Sequence, residues 1–322
     1  MKILVTGGAG YIGSFMVKRL LEKGDNVIVV DSLERGHISA IDKRAEFIKG
    51  NLQNRQFVSE VLSKKFDAVI HFAGFISMEE SMEEPYMYFK NNTVSSLNLI
   101  EEMVRLGNNN IIFSSTAGVY GNPVQIPIPE YHPKNPENPY GESKLMVEKL
   151  LHWYGKTKKL NSAVLRYFNA AGAARNGSLG EQHVPETHII PKIMEAVIEK
   201  KPFKLFGSDY ETEDGTCVRD YIHVLDLVEA HVLALEKLIK DPGHYVYNVG
   251  TGKGYSNKQI VSMVKKITES DLKIVKSSRR PGDADTLIAD STKIKNELGF
   301  SPKHSSLETI VKTAWQWHSK KA

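Results

Sequence analysis

The sequence GGAGYIG at residues 7–13 decides the fold class of this 322-residue chain. It follows an apolar run at residues 3–5 and precedes an amphipathic stretch, so it predicts a turn between a β-strand and an α-helix. Its spaced glycines are Gly7, Gly10 and Gly13. Glycines at this spacing permit a tight turn and allow backbone amides to approach a pyrophosphate. The stretch therefore predicts a dinucleotide-binding loop.

A carboxylate follows this loop at the end of the second predicted strand. Asp31 lies 18 residues beyond Gly13. A carboxylate there can accept hydrogen bonds from the hydroxyls of an adenosine ribose, and it repels a 2′-phosphate. Loop, helix, strand and acid in this order predict that the cofactor is NAD rather than NADP.

β-branched runs alternate with amphipathic helical stretches through the first half of the chain. This alternation predicts an α/β fold with a Rossmann-type doubly wound parallel sheet. We expect an NAD-binding Rossmann domain over residues 1–170 and a smaller C-terminal α/β substrate domain over residues 171–322, with interleaved segments. The predicted strands are residues 3–5, 27–30, 47–48, 68–71 and 111–114, and the predicted helices are residues 11–23, 54–64, 84–106 and 140–157.

Composition narrows the functional classes. The 42 Lys and Arg residues against 38 Asp and Glu leave a formal charge of +4, and this charge is scattered, which argues against a nucleic-acid partner. Every apolar run is of strand length, far below the ~18 residues that a membrane helix needs, so we expect no membrane association. The N-terminal residues lead directly into the glycine turn, and Cys217 is the single cysteine. Both features predict a cytoplasmic protein.

A second motif supplies candidate catalytic groups. Tyr140 and Lys144 are four residues apart in PYGESK, and Pro139 suits a first helical turn, so phenol and ammonium share one helix face. A neighbouring Lys and the positive charge of an oxidised nicotinamide both favour the phenolate, which predicts Tyr140 as a general base. The hydroxyls of residues 114–116 (SST) close the strand before them, at the edge where such sheets bind ligands.

Taken together, the motifs of this chain match those of a known enzyme family. The chain resembles the UDP-glucose 4-epimerase family of extended short-chain dehydrogenase/reductases from end to end. The shared motifs, in the family's order, are residues 7–13 (GGAGYIG), 113–116 (FSST), 140–144 (YGESK), 166–169 (RYFN), 214–224 (DGTCVRDYIHV) and 279–283 (RRPGD). The first three belong to the wider superfamily, and the last three are much more specific.

The resemblance implies roles for individual positions. It implies Tyr140, Lys144 and Thr116 as the catalytic residues. The implied NAD contacts are Gly7, Gly10, Tyr11, Ile12, Gly13, Asp31, Ser32, Asn51, Leu52, Phe72, Ala73, Gly74, Asn91, Tyr140, Lys144 and Phe168. The implied UDP-sugar contacts are Thr116, Asn169, His188, Ile189, Lys204, Leu205, Phe206, Arg219, Arg280, Asp283 and Leu287.

Three positions depart from the family pattern. Ile76 stands where many members have a Lys that reaches the nicotinamide-side ribose, which removes one expected cofactor contact. Asn51 replaces the usual Asp near adenine, and Thr116 replaces the commoner Ser. The last two changes keep hydrogen-bonding capacity.

The resemblance implies reversible interconversion of UDP-glucose and UDP-galactose. Tyr140 would take the C4 hydroxyl proton while NAD takes the C4 hydride, and return of the hydride to the opposite face of the 4-keto sugar would invert C4. The alternatives are a related epimerase of an N-acetylhexosamine or pentose, a decarboxylase or dehydratase, and a non-catalytic NAD-binding sensor. Ala117 and Gly118 supply no extra acid/base pair, which argues against dehydration. The presence of both Tyr140 and Lys144 argues against the sensor.

Four further expectations concern the remaining residues. Leu287 matches the family position whose bulk sets the room beside the sugar C2 substituent, so we expect N-acetylated sugars to be poor substrates. The apolar residues of helix 84–106 exceed one inward stripe, which predicts a homodimer through this helix and helix 140–157. The histidines lack metal-ligand spacing, so we expect no metal, with His183 at the surface and His223 in the core.

Overall fold

The structure is a computed structural model that describes residues 1–279 and 284–320. The chain forms two compact units, each made of several chain segments. The first unit comprises Met1–Gly121, Pro133–Arg166 and Val228–Tyr247. The second unit comprises Asn122–His132, Tyr167–Leu227 and Asn248–Ala322.

The regular elements are numbered in chain order. The strands are β1 (Lys2–Thr6), β2 (Asn26–Asp31), β3 (Glu46–Lys49), β4 (Ala68–His71), β5 (Asn110–Thr116), β6 (Asn161–Tyr167), β7 (Asn169–Ala171), β8 (Phe203–Phe206), β9 (Val218–His223), β10 (His244–Val249), β11 (Gly254–Ser256), β12 (Ile274–Ser277) and β13 (Thr286–Leu287). The helices are α1 (Tyr11–Glu22), α2 (Arg55–Leu62), α3 (Met78–Glu83), α4 (Pro85–Tyr88), α5 (Ser95–Leu106), α6 (Pro139–Lys158), α7 (Ile189–Ile198), α8 (Val224–Lys240), α9 (Asn257–Thr268), α10 (Thr292–Leu298) and α11 (Leu307–His318). Among the helices formed by the described residues, we find none that combines the length and the apolar character needed to cross a bilayer.

The first unit is built on a seven-stranded sheet with the strand order β3-β2-β1-β4-β5-β6-β10. The pairs β1–β2, β2–β3, β1–β4 and β4–β5 are parallel. The chain runs outward from β1 to β3 on one side and from β4 onward on the other, so the order reverses between β1 and β4. In open α/β sheets, ligands bind at the carboxyl ends of the strands flanking such a reversal. The predicted Rossmann-type fold class is confirmed.

The core of the first unit explains why its strands read as continuous apolar runs. Parallel strands covered by helices on both faces bury both sets of side chains. Burying an aliphatic side chain contributes roughly 1.5–3 kcal/mol. Fully buried members of this core include Leu4, Val69, Leu99, Ile100, Met103, Ile111, Val147, Leu151 and Val164.

The expected single helix at residues 84–106 is interrupted. A π-helical turn, Phe89–Val94, separates α4 from α5. Inside this turn, the buried Asn92 side chain accepts a hydrogen bond from Phe75 N (2.8 Å) and donates to Phe75 O (3.0 Å) and Ser143 Oγ (3.0 Å). Such turns often occur at functional sites in helices. Periodicity alone does not reveal the turn, because the apolar spacing on either side remains helical.

The second unit has smaller sheets and its own core. Strand β9 pairs with β7, β11 and β13, and β8 pairs in parallel with β12. Helices α7, α9 and α11 contribute apolar side chains to the core of this unit, and the buried members include Ile190, Ile193, Met194, Phe203, Leu205, Tyr221, Ile260, Val264, Ile310 and Val311.

Candidate active site

The glycine loop connects β1 to α1 in a conformation that requires glycine at two positions. Gly7 has φ +74°, and a Cβ placed on it would lie 2.5 Å from Ala73 N. A Cβ on Gly13 would lie 2.2 Å from Gly7 O. At Gly10 a Cβ would meet only Gly7 O, at 3.3 Å, and no side chain caps the helix that follows. The N-terminal turn of α1 thus lies beside open space, as an anion such as a pyrophosphate requires.

Asp31 ends β2 and fixes the shape of this loop. Its carboxylate accepts hydrogen bonds from Ala9 N (3.0 Å) and from Leu33 N (2.8 Å), one at each oxygen. A carboxylate oxygen can accept a second bond, so capacity remains for ribose hydroxyls. Nearby, Asn51 Oδ1 accepts from Gln53 N at 2.8 Å, and Asn51 Nδ2 donates to Glu34 Oε1 at 3.3 Å.

The segment after β4 forms the other side of the candidate cofactor site. The amides of Phe72 and Ala73 both donate to Thr6 O, at 2.9 and 3.1 Å. A Cβ on Gly74 would lie 3.3 Å from Lys144 Nζ and 3.2 Å from Asn92 Oδ1, which favours glycine at this tightly packed position. The turn is therefore packed directly against the candidate catalytic lysine.

Three candidate catalytic side chains converge within the first unit. Thr116 is the last residue of β5, and Tyr140 and Lys144 lie in the first turns of α6. Asn138 Oδ1 accepts from Gly141 N (2.9 Å) at the start of this helix, so Pro139 occupies the predicted first position. All three catalytic candidates are buried, and the Tyr140 phenol is hydrogen-bonded to the Thr116 side chain.

Lys144 is held beneath the sheet edge by contacts that sequence spacing does not reveal. Its Nζ donates to Ser114 O at 3.0 Å and lies 5.0 Å from the centroid of the Phe113 ring. Burial lowers the pKa of Lys144 to about 8. An ammonium has three donors. The bond to Ser114 O uses one of them, which leaves capacity to donate to cofactor hydroxyls.

Contrary to the expectation from sequence, the chain alone does not favour the phenolate of Tyr140. Burial raises the pKa of Tyr140, and the hydrogen bond with Thr116 only partly opposes this rise. Burial and Thr116 account for this shift and Lys144 does not contribute to it, so the effect predicted from the Tyr140–Lys144 spacing is absent in the protein alone. The positive charge of an oxidised nicotinamide is then the remaining expected contribution that favours the phenolate.

The other hydroxyls of the SST motif have different environments. Ser115 Oγ donates to Glu148 Oε1 at 2.5 Å, and Glu148 forms a buried ion pair with Arg166. Although burial opposes it, the Glu148 carboxylate raises the pKa of Arg166. Arg166 also donates to the Tyr120 phenol oxygen at 2.9 Å. This buried network connects β5, α6 and β6 but was missing from the sequence prediction, because its members are far apart in the chain.

The residues present fit a bound NAD. The glycine loop leaves room that a Cβ at Gly10 would enter, Asp31 offers further acceptor capacity, and the buried Lys144 retains donor capacity. Ile76, at the position of the absent Lys, is 39% exposed and offers no polar group.

Most of the expected UDP-sugar residues lie in the second unit. Asn169 begins β7, His188 directly precedes α7, and Ile189 begins that helix. Lys204 and Phe206 are on β8 with exposed and partly exposed side chains, whereas Leu205 is buried in the core between them. Any ligand contact of Leu205 must therefore use its main chain. Phe168 lies in this unit between β6 and β7. Arg280 and Asp283 lie outside the described residues.

Two of these residues are paired directly in a sheet. Leu287 of β13 is in register with Arg219 of β9, which in turn faces Tyr255 of β11. Leu287 is only partly buried. Its side chain is therefore not a fully buried core residue, and it lies beside one of the expected diphosphate ligands.

The histidines only partly match their predicted environments. His223 is fully buried and exchanges a hydrogen bond with Thr313 Oγ1 at 3.0 Å, which confirms the core prediction. The prediction of a surface position for His183 is wrong, because its side chain is only 19% exposed and packs beside Glu181. The thiol of Cys217 is buried and accepts a hydrogen bond from Asn257 Nδ2 at 3.1 Å.

Comparison with known proteins identifies the family. The profile of the NAD dependent epimerase/dehydratase family matches residues 3–250. A UDP-glucose 4-epimerase of Streptococcus mutans is 48% identical over 323 residues, covering 99% of this chain and 97% of that protein. The crystal structure of UDP-glucose 4-epimerase from Brucella ovis in complex with NAD has a TM-score of 0.94 at 41% identity, covering 98% of this chain and 97% of the other. The corresponding structure from Bifidobacterium longum, in complex with NAD+ and UDP, has a TM-score of 0.94 at 34% identity, covering 99% and 98%. The chain belongs to the NAD dependent epimerase/dehydratase family.

Proposed function

We propose that this protein is an NAD-dependent epimerase that interconverts UDP-glucose and UDP-galactose by inverting the configuration at C4 of the sugar. The observation that carries this proposal is the buried group of Thr116, Tyr140 and Lys144 at the carboxyl edge of β5. The high similarity to UDP-glucose 4-epimerases over nearly the whole chain supports the choice of substrate.

The first unit is assigned the cofactor. Backbone amides of the glycine loop and the first turn of α1 would hold the pyrophosphate, and Asp31 would accept from the adenosine ribose. Lys144 would donate to the nicotinamide-side ribose. When bound, NAD supplies a reversible acceptor for the hydride on C4 of the sugar.

The protein's own task in the reaction is to move one proton at the C4 oxygen. Tyr140 accepts the hydroxyl proton as the 4-keto sugar forms and returns it when the alcohol is restored. Thr116, hydrogen-bonded to the phenol, orients the substrate hydroxyl or relays its proton. Lys144 donates to Ser114 O from a buried position, which keeps its ammonium fixed beside this site.

The second unit is assigned the sugar nucleotide. Arg219 and Arg280 would pair with the diphosphate, because guanidinium groups match phosphate oxygens. Phe206 offers an apolar surface for uracil, and Asp283 can accept from the uridine ribose. Asn169, His188, Ile189, Lys204 and the main chain of Leu205 complete the proposed contacts.

Leu287 supports the choice of sugar. Its bulk would restrict the space beside C2, so UDP-glucose and UDP-galactose would fit better than their N-acetylated analogues. An epimerase of N-acetylhexosamines or pentoses remains the second candidate. A non-catalytic sensor is disfavoured because the complete acid/base group is present and buried.

We propose a homodimer through α5 and α6. These helices lie together in the first unit, where Tyr154 Oη of α6 donates to Glu101 Oε2 of α5 at 2.6 Å. Val94, Leu97 and Trp153 expose apolar surface on or beside these helices. Sedimentation at micromolar concentration is expected to show a dimer, and a monomer alone would exclude this arrangement.

The single free thiol supports a cytoplasmic location.

The proposed function is tested by incubating the protein with UDP-galactose and measuring UDP-glucose. We expect conversion in both directions without steady accumulation of reduced cofactor in solution, because the reaction is redox-neutral. Release of one equivalent of NADH per product would identify a dehydrogenase instead. Conversion of UDP-N-acetylglucosamine with equal efficiency would favour the second candidate.

A further inference from the structure

Four side chains with metal-binding atoms converge in the short segment that leads into α7. They are Glu181, His183, Glu186 and His188, in the pattern E-x-H-x-x-E-x-H. One ligand atom from each residue lies within 4.8 Å of all the others. No step of the proposed reaction uses Glu181, His183 or Glu186, so their convergence needs a separate explanation.

The distances among these atoms can be compared with those in a metal centre. Zn²⁺ prefers four ligands in a tetrahedron with bonds of about 2.0–2.1 Å to His nitrogen and carboxylate oxygen, which places neighbouring donors about 3.3–3.4 Å apart. Here His188 Nδ1 and His183 Nδ1 lie 2.5 and 3.2 Å from Glu181 Oε1. Each Nδ1 lies 3.8 Å from Glu186 Oε1. These four separations lie on both sides of the tetrahedral edge. Because all four atoms lie within 4.8 Å of one another, changes in separation of about 1–2 Å would complete a centre.

The donors are held in a partly enclosed setting. The side chains of Glu181 and Glu186 are only 4% and 5% exposed, whereas that of His188 is 40% exposed. Glu186 Oε1 accepts from Thr187 N (2.7 Å) and His188 N (2.9 Å). Trp317 Nε1 of α11 donates to Glu181 O at 2.8 Å. The carboxylates are therefore positioned by the surrounding chain, and the exposed His188 side provides a route for an ion.

We propose that Glu181, His183, Glu186 and His188 form a binding site for a divalent transition-metal ion, with Zn²⁺ as the best match. Two carboxylates balance the 2+ charge, and two imidazoles supply the nitrogen ligands that Zn²⁺ favours. The metal takes the place of protons shared between the rings and carboxylates, so binding releases protons without any redox change.

A metal here would act on structure rather than on the hydride transfer. It would join both ends of an eight-residue segment and fix the chain just before α7. Coordination through Nδ1 leaves Nε2 of His188 available for the UDP-sugar contact proposed above. The site shares His188 with the proposed UDP-sugar contacts, but metal binding can be tested separately from the reaction, because an active enzyme could lack the metal and an inactive one could bind it.

The test uses the full-length protein without a polyhistidine tag. After removal of metals with a chelator and dialysis, Zn²⁺ binding is measured by calorimetry in wild type, in His183→Gln and in His152→Gln. His152 is an exposed histidine of α6 and serves as the matched control. We expect one Zn²⁺ per chain in wild type and in the control, and at least ~10-fold weaker binding in His183→Gln. Unchanged binding in His183→Gln would overturn the proposal.

A second measurement does not depend on the variants folding. Crystals of the wild-type protein soaked in Zn²⁺ should give an anomalous difference peak within bonding distance of all four residues at the zinc absorption edge. Zinc should also raise the melting temperature of wild type but not that of a folded Glu181→Gln variant. A zinc peak elsewhere, or none beside Glu181, would contradict the assignment whether or not the protein is an epimerase.

Discussion

The two units of this protein differ in the burial of the residues that are proposed to carry out catalysis and substrate recognition. In the first unit, Thr116, Tyr140 and Lys144 are all buried. Hydrogen bonds between side chains and main-chain groups hold Lys144 and the first turn of its helix. In the second unit, the residues proposed to bind the sugar nucleotide are mostly partly exposed, and they come from five elements and the turns beside them. Proton transfer demands a fixed geometry, whereas recognition of a large substrate can be distributed over many weaker contacts.

This difference suggests that substitutions in the first unit should change turnover or fold, and those in the second unit should change substrate choice. Burial makes the first group sensitive, because a displaced buried group loses both its partner and its solvation. Because the residues of the second group are partly exposed, we expect them to tolerate substitutions better. The following predictions are ordered from the largest expected effect to the smallest.

Tyr140→Phe should lower turnover by ~10²-fold or more while the protein still binds NAD and UDP-sugar, because only the proton-transferring oxygen is removed. Tyr154→Phe makes the same change on the same helix, at a phenol bonded to Glu101, and serves as the control. Initial rates with UDP-galactose and the bound NAD content should be measured for both variants. Near-normal turnover of Tyr140→Phe would remove Tyr140 from the reaction.

Gly13→Ala should disturb the loop itself, because its Cβ would meet Gly7 O at 2.2 Å. We expect a loss of about 3 kcal/mol in the free energy of unfolding or in NAD binding. Gly10→Ala meets the same oxygen at 3.3 Å and should leave the unfolding free energy nearly unchanged while weakening NAD binding. Urea denaturation and NAD titration separate the two effects. Unchanged NAD binding in Gly10→Ala would show that Gly10 does not face the cofactor.

Leu287→Ala should relax discrimination against N-acetylated sugars by roughly 10- to 200-fold, which corresponds to ~1–3 kcal/mol. The control is Ile288→Ala, since Ile288 is the next residue and packs toward Gly254. The ratio of kcat/KM for UDP-N-acetylglucosamine to that for UDP-glucose should rise only in Leu287→Ala. An unchanged ratio would mean that the bulk of Leu287 does not limit the pocket.

His71 should make the first unit sensitive to acid. Burial, followed by the charge of Lys144, lowers the pKa of His71 to about 3. Between pH 6.5 and 3 the unfolded chain therefore binds a proton that the folded chain does not, so stability falls as the pH falls. Between pH 7 and 5.5 this group should contribute a loss of about 1 kcal/mol. In urea denaturation, the free energy of unfolding should change less with pH in His71→Gln than in His152→Gln. Equal changes in both variants would show that His71 is not the source of the acid sensitivity.

In the first unit, the sequence predicted the features that depend on local motifs and missed those that depend on contacts between distant segments. The glycine loop, Asp31 and the Tyr140–Lys144 pair each follow from a local motif with a physical reason. The π-helical turn around Asn92 and the Glu148–Arg166 network do not, because they depend on contacts between distant segments. In the protein alone the pKa of Tyr140 is raised, because burial, which spacing cannot reveal, outweighs the hydrogen bond with Thr116.

The second unit shows the same limit. The family motifs indicated Arg219 and Leu287 separately, but only the β9–β13 register places them side by side. The contact between His183 and Glu181 does not follow from histidine spacing, because two of the four clustered side chains are carboxylates. The buried position of a core residue such as His223 was easier to predict, since its neighbours in the sequence are apolar.

The most direct test of the proposed reaction follows the hydrogen at C4. UDP-galactose carrying deuterium at C4 is converted by the protein in ordinary water, and the UDP-glucose formed is analysed by NMR and mass spectrometry. Because Tyr140 is proposed to move only the hydroxyl proton, the deuterium should remain at C4 of the inverted product. Replacement of the deuterium by solvent hydrogen, or no conversion by the NAD-loaded protein, would contradict the proposed mechanism.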